Sequence, residues 1–357
     1  MARITHILTA ALALIAIWYA LGRREDDADE FSPPVPNGSD PTPTVDISQL
    51  EQAVACPANL DGTKNVVLLV HGTGATAEVN WRYTLVPPLI ARGYQPCLLD
   101  IPGRLMDDGQ VSAEYVAHAV RSISGRLESS AKVSVISWSA GSLVTQWTLL
   151  FYPSVRALVR QHISIAASYK GSWIMIPLVY LNLYSPSFVQ QLPSSNFVAT
   201  LEKFGGFNAL VPTTNIGSST DQIVQPGFWG SSRDAWRLDD PKNAGTGAPA
   251  SNIDLFKTCA SLRLKQGSPP KFYLHETLLW DPASHRIIFD ALGDLKTHVG
   301  SATAVQATDC RGGLAPELKD EWSGHHESIM KTLSEYAPTF PVSGWPETPL
   351  REYTQIQ

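Results

Sequence analysis

The residues most able to do chemistry lie between positions 133 and 151. Val133-Ser-Val-Ile-Ser-Trp138 is a short run rich in β-branched residues, and it leads into Ser139, Ala140 and Gly141 and then an apolar helix-like stretch to Phe151. A strand, a tight turn and a helix in that order lift a serine hydroxyl clear of a sheet, the corner called a nucleophile elbow. Its turn leaves room only for small residues two before and two after the serine, and these are Ser137 and Gly141. Such a corner serves acyl transfer. Serine is a poor nucleophile until a neutral imidazole takes its proton, and a carboxylate must fix that imidazole's tautomer and steady its cation. A Ser-x-Ser-x-Gly match alone is equally a serine capping a core helix, so the reading depends on partners elsewhere in the chain.

The first partner lies upstream. Asn65–Val70 is a continuous apolar run of the kind a buried parallel strand shows, and it runs into His71-Gly72-Thr73-Gly74. A glycine-bearing loop after such a strand supplies one backbone N–H of an oxyanion hole in α/β-hydrolases, the residue after the nucleophile supplying the other. Thr73 and Ala140 are therefore the expected N–H sources, with the Thr73 hydroxyl as a further donor. His71 precedes the glycine turn at a strand end and is read as structural. The base is then sought among His275, His285, His298, His325 and His326. His275 stands just past the strand-like run Lys271–Leu274, where a loop can swing its imidazole over the nucleophile. The others fall in helix-like segments or beyond the sheet. Asp221 follows the polar turn Gly217–Thr220 and precedes a short apolar stretch, a loop position beside a strand.

Several ordered stretches resemble the fungal lipase B family. They are Gly72-Thr-Gly74, Gly93-Tyr-Gln-Pro-Cys97, Trp138-Ser139 with Gln146-Trp147, Tyr169-Lys-Gly171, Ser185-Pro-Ser187, Gln190-Gln191, Val211-Pro-Thr-Thr-Asn215, Ser219–Pro226 and Thr308-Asp-Cys310. The resemblance spans roughly residues 56–315. It implies an α/β-hydrolase fold, a mostly parallel sheet with helices on both faces and a small apolar cap region. It also implies Ser139 as nucleophile, Asp221 as acid and His275 as base, in the chain order expected of that fold. Trp138, Ser168 and Gln191 become pocket residues. Of the three pairings open to four cysteines, it selects Cys56–Cys97 and Cys259–Cys310, each closing a loop of about 40–50 residues. The implied activity is carboxylic ester hydrolysis through an acyl-enzyme, with no metal or organic cofactor, on a small-molecule ester or a lipid.

Departures from the family bear on substrate. Ser168 stands where the family has an aspartate, with Ala167 in place of a proline before it. Trp322-Ser-Gly-His-His-Glu327 replaces an alanine- and leucine-rich helix that walls the family's substrate funnel. A polar, bulky wall favours short or medium acyl chains, because each buried methylene is worth about 0.8 kcal/mol only against apolar surface. An acyltransferase or esterase for a specialised small molecule is the alternative. A catalytically silent hydrolase-fold binding protein is a more distant one, since every triad residue type is present.

Composition fits an exported enzyme. The 357 residues are 44 % hydrophobic and 17 % charged with a net charge of −6, which leaves no basic footprint for nucleic acid. No Cys-x-x-Cys pair suggests zinc, and His325-His326 reads as a helix-surface pair. Arg3 precedes the apolar run Ile7–Trp18, and Ala20-Leu-Gly22 offers small residues for cleavage, so residues 1–22 read as a signal peptide. An uncleaved membrane anchor is the alternative. Residues 23–45 read as a spacer too proline-rich and polar to pack, extended or disordered and carrying the sequon Asn37-Gly-Ser39, and residues 46–357 as the catalytic domain. A secreted monomer, with some contact with a lipid interface, is expected.

Along the domain, strands are expected at 95–99, 132–136 and 162–166, and helices at 113–127 (with Ser112 as cap) and 140–151. The apolar stretch between Ser172 and Val189 breaks this rhythm. It reads either as a cap over the site mouth or as an ordinary buried excursion.

Overall fold

The apolar run at 65–70 and the run before Ser139 lie side by side at the centre of one sheet. The computed structural model describes residues 38–61, 65–127, 131–180, 185–227, 233–238, 248–318 and 347–355. Its strands are β1 (Val54–Ala55), β2 (Val66–Val70), β3 (Gln95–Leu99), β4 (Val133–Trp138), β5 (Val159–Ile165), β6 (Thr213–Gly217) and β7 (Ala250–Asp254). They form a 7-stranded sheet in the order β1-β3-β2-β4-β5-β6-β7. The β1–β3 pair is antiparallel and the remaining pairs are parallel. A parallel strand covered on both faces needs apolar side chains pointing both ways, which is why β2 reads Val-Val-Leu-Leu-Val and is buried throughout. Val66, Leu68 and Val70 enter one core and Val67 and Leu69 the other.

Helices α1 (Gly109–Ser124) and α2 (Ala140–Phe151) cover the first face through residues such as Val116, Val120, Leu143 and Trp147. The other face is closed by α5 (Leu255–Lys265) and α6 (Pro282–Gly293), through Leu255, Cys259, Ile287 and Ile288. Between them in sequence, α3 (Met175–Tyr180) and α4 (Pro186–Gln190) make the apolar excursion. Met175, Phe188 and Val189 are buried with Met106, while Ile174, Leu178 and Val179 are only half-buried. The whole is an α/β-hydrolase fold.

Three expectations need correction. Helix α1 starts at Gly109, and its cap is Asp108, whose carboxylate accepts the Gln110 N–H at 2.9 Å. Ser112 sits inside the first turn with its hydroxyl donated to the Asp108 carbonyl, because aspartate competes well for the cap position. Residues 271–274 pair with no strand among the described residues. The end of the spacer does pack: the Thr44 and Val45 N–H groups donate to Glu114 Oε2 at 2.6 and 2.9 Å, and Asp40 pairs with Arg121. Arg351 pairs with Glu114 from the other end of the chain. Burial works to raise the Glu114 carboxyl, but hydrogen bonds from Val45, Thr44 and Arg351 outweigh it and hold it below the usual range.

The expected signal or anchor segment, residues 23–37 of the spacer with Asn37, and Trp322–Glu327 with His325 and His326 lie outside the described residues. Among the described residues no helix is long and apolar enough to cross a membrane.

Both disulfides are present, Cys56–Cys97 and Cys259–Cys310, spanning 41 and 51 residues. Closing loops of that length restricts the unfolded chain by roughly 4 kcal/mol each in the chain-entropy model. Denaturant titration with and without reductant should therefore show a large loss of stability. Activity should fall as well, because the second bridge joins the segments before and after His275. A reduced protein with unchanged midpoint would contradict this.

Candidate active site

The turn at Ser139 has φ 54° and ψ −128°, a conformation that side-chain-bearing residues rarely adopt. It is held by close approach of β2 to the elbow. A Cβ on Gly141 would lie 2.3 Å from the His71 carbonyl oxygen, and one on Gly72 would meet the Trp138 ring at 2.5 Å and Ser139 Cβ at 3.0 Å. Only glycine permits either contact. The hydroxyl of Ser139 is thus fixed at the carboxyl end of the sheet with the Gly72–Gly74 loop beside it.

His275 and Asp221 arrive from separate loops. His275 Nε2 lies 3.0 Å from Ser139 Oγ, and Nδ1 lies 2.8 Å from Asp221 Oδ2. All three residues are buried. Asp221 Oδ1 accepts the Ile223 and Val224 N–H groups at 2.7 and 2.9 Å, which fixes the carboxylate. The segment before His275 was expected to be a strand, but side chains of the Asp221 loop hold it instead. Tyr273 N–H donates to Thr220 Oγ1 at 2.9 Å, and His275 N–H to Gln222 Oε1 at 2.9 Å. The Trp138 indole N–H donates to the His275 carbonyl at 3.3 Å, and the two rings lie 4.8 Å apart. Composition and periodicity gave no signal for Thr220 or Gln222.

Ala140 opens α2, so its N–H has no intrahelical partner. The N–H groups flanking Thr73 are committed, Gly72 to Asn80 Oδ1 at 2.9 Å and Gly74 to the Arg104 carbonyl at 2.8 Å. The loop is pinned on both sides of Thr73. Ser168 and Gln191, expected in the pocket, are joined by a 3.2 Å hydrogen bond, and Gln191 reaches Thr73.

Four of the other described histidines have different places. His71 Nε2 accepts the Ile101 N–H at 3.0 Å, so its proton sits on Nδ1 and is donated to the Gly72 carbonyl at 2.8 Å. It is a strut for the Gly72–Gly74 loop. His285 lies buried in α6 with Nε2 donating to the Leu279 carbonyl, and His298 occupies a loop. His162, which the sequence did not mark, lies under the elbow with Nε2 2.6 Å from Ser137 Oγ, itself 2.8 Å from Ser142 Oγ.

Burial lowers the imidazole pKa of His71, that of His162 to about 3 and that of His285 to about 4, against an ordinary value of 6.5. Between those values the unfolded chain binds more protons than the folded one, so stability falls as pH falls below about 6.5. At pH 5 the loss should be about 2 kcal/mol for each of His162 and His285 relative to pH 7. Urea titrations across pH 7 to 5 measure it, and His285→Gln should flatten the slope. A wild type equally stable at pH 5 and 7 would contradict it.

Comparison with known proteins places these features in a group. No protein-family model matches the chain. Lipase B of Pseudozyma antarctica is 34 % identical over 229 residues, covering 64 % of this chain and 67 % of that protein. The crystal structure of Aspergillus fumigatus lipase B is similar with a TM-score of 0.76 at 28 % identity, over 93 % of this chain and 77 % of that one.

Proposed function

We propose, from the premise that this chain belongs to the lipase B family and is a carboxylic ester hydrolase, that Ser139, His275 and Asp221 are its catalytic triad and that it works through an acyl-enzyme. The observation that carries the reading is the unbroken line from Asp221 Oδ2 through both nitrogens of His275 to Ser139 Oγ. Asp221 accepts a hydrogen bond from Nδ1–H, which leaves the Nε2 lone pair aimed at the serine hydroxyl. Ser139 Oγ attacks the ester carbonyl while His275 Nε2 takes its proton. The oxyanion so formed lies beside the Thr73 and Ala140 N–H groups and the Thr73 hydroxyl. Collapse breaks the ester C–O bond, and the imidazolium returns its proton to the leaving alkoxide. Water then attacks the acyl-enzyme by the same steps in reverse, releasing the acid and restoring Ser139.

The substrate class is that of lipids and small esters, supported by the likeness to two lipases. Export through residues 1–22 is part of the proposal and draws support from the two disulfides, which persist in oxidising compartments.

Labelling tests the nucleophile directly. A fluorophosphonate probe should modify Ser139 of the folded enzyme, located by peptide mass spectrometry, and Ser139→Ala should take no label. Label recovered on Ser137, or persisting in Ser139→Ala, would sink the assignment.

A further inference from the structure

The amide of Gln191 sits between hydroxyls in a buried niche. Its Oε1 accepts from Ser168 Oγ at 3.2 Å. Its Nε2 donates to Thr73 Oγ1 at 3.2 Å, to the Ser187 carbonyl at 3.2 Å and to Ser187 Oγ at 3.1 Å. Ser168, Gln191 and Ser187 are 1 %, 3 % and 3 % exposed, so water does not substitute for these bonds. The Ser187 carbonyl can only accept, and turning the amide over would set two acceptors against each other. The nitrogen therefore faces Thr73.

That orientation has a consequence for the Thr73 hydroxyl. It receives a proton from the amide, so its own single proton is not needed there and is free to point elsewhere. The neighbouring residue, Gly72, packs against Ser139 so closely that a Cβ would come within 3.0 Å of Ser139 Cβ. Negative charge appears on the attacked carbonyl oxygen at the elbow beside this loop. We propose that Gln191, clamped by Ser168 and Ser187, is a positioning residue that turns the Thr73 hydroxyl into an oxyanion donor. The inference rests on the triad reading above. It assigns Gln191 a part in the transition state that pocket lining alone would not require.

Gln191→Glu keeps the shape and reverses the polarity. Once ionised, its carboxylate only accepts, and the Thr73 proton is drawn to it and away from the oxyanion. Burial against the Ser187 carbonyl raises that carboxyl's ionisation above the ordinary range, so the loss should grow with pH. On a short p-nitrophenyl ester, Gln191→Glu should lose about 10²-fold in kcat at high pH with little change in KM, the cost of one oxyanion donor. Thr73→Val should lose a similar factor at every pH. In the Thr73→Val background, Gln191→Glu should then cost almost nothing more, because no hydroxyl is left to redirect. An equal Gln191→Glu loss in both backgrounds, or none in either, would overturn the relay. Should Gln191→Glu fail to fold, Gln191→Met removes the amide without charge. It should lower kcat severalfold with a pH profile of wild-type shape, and an unchanged kcat would overturn the proposal. Titrating active sites with fluorophosphonate in the same preparations separates the two readings. A wild type unlabelled at Ser139 defeats the triad, whereas full labelling with additive losses defeats only the relay.

Discussion

Ser139→Ala should lose at least about 10⁴-fold in kcat on any ester the wild type hydrolyses, with the fold unchanged. The hydroxyl's partner is His275 Nε2, at 3.0 Å, and alanine at the same backbone angles leaves the contacts of Gly72 and Gly141 with the elbow as they are. What disappears is the covalent route. The proposed oxyanion donors at Thr73 and Ala140 are untouched, and with substrate binding they should retain a residual acceleration of about 10³–10⁴ over water. Activity should therefore fall to a low plateau, while thermal unfolding and circular dichroism match the wild type. Purified Ser139→Ala turning over esters within tenfold of wild type would remove serine chemistry from the account.

Asp221→Asn should lower kcat by about 10⁴-fold for a reason specific to its surroundings. The Ile223 and Val224 N–H groups donate to one carboxylate oxygen, so an asparagine must keep its amide oxygen there. Its NH2 then faces His275 Nδ1, which has to accept. The imidazole proton moves to Nε2, against Ser139, and the base is lost although every atom keeps its place. Nitrogen NMR of the imidazole should show the exchanged tautomer. His275→Ala should be crippled to a similar extent, whereas His285→Ala should keep catalysis, since its ring is packed in α6. An Asp221→Asn enzyme close to wild type in kcat would mean that another acid orients His275.

Much of this site is legible in the sequence because it depends on size and order. The small residues around Ser139, the apolar run before Gly72 and the helix from Ala140 to Phe151 are local constraints, and the structure has them at those positions. The likeness to lipase B motifs supplied Asp221 and His275, which no spacing rule could join across 54 residues. What stayed hidden depends on tertiary contacts. The run at 271–274 has strand-forming residues but no neighbouring strand among the described residues, and Thr220 and Gln222 bond its backbone instead. Asp108 and Ser112 are both good helix caps, and only the surrounding bonds decide between them. His162 looks in sequence like any strand residue, yet it lies under the elbow because β5 runs beside β4. The spacer reads as unpacked through residue 45, since nothing local announces that Glu114 will receive Thr44 and Val45.

Glu114 also gives the molecule a mechanical property. Thr44 and Arg351, 307 positions apart, meet on this one carboxylate and bond to each other at 3.0 Å. The Trp147 indole donates to Tyr353 Oη nearby at 3.0 Å. A pull applied at residue 44 against residue 351 would load this ionic clasp first. The sheet, the elbow and the loops carrying His275 and Asp221 would stay slack until the clasp opened. Attachment to a surface through both ends would thus strain a buckle on α1 and leave Ser139, His275 and Asp221 in register.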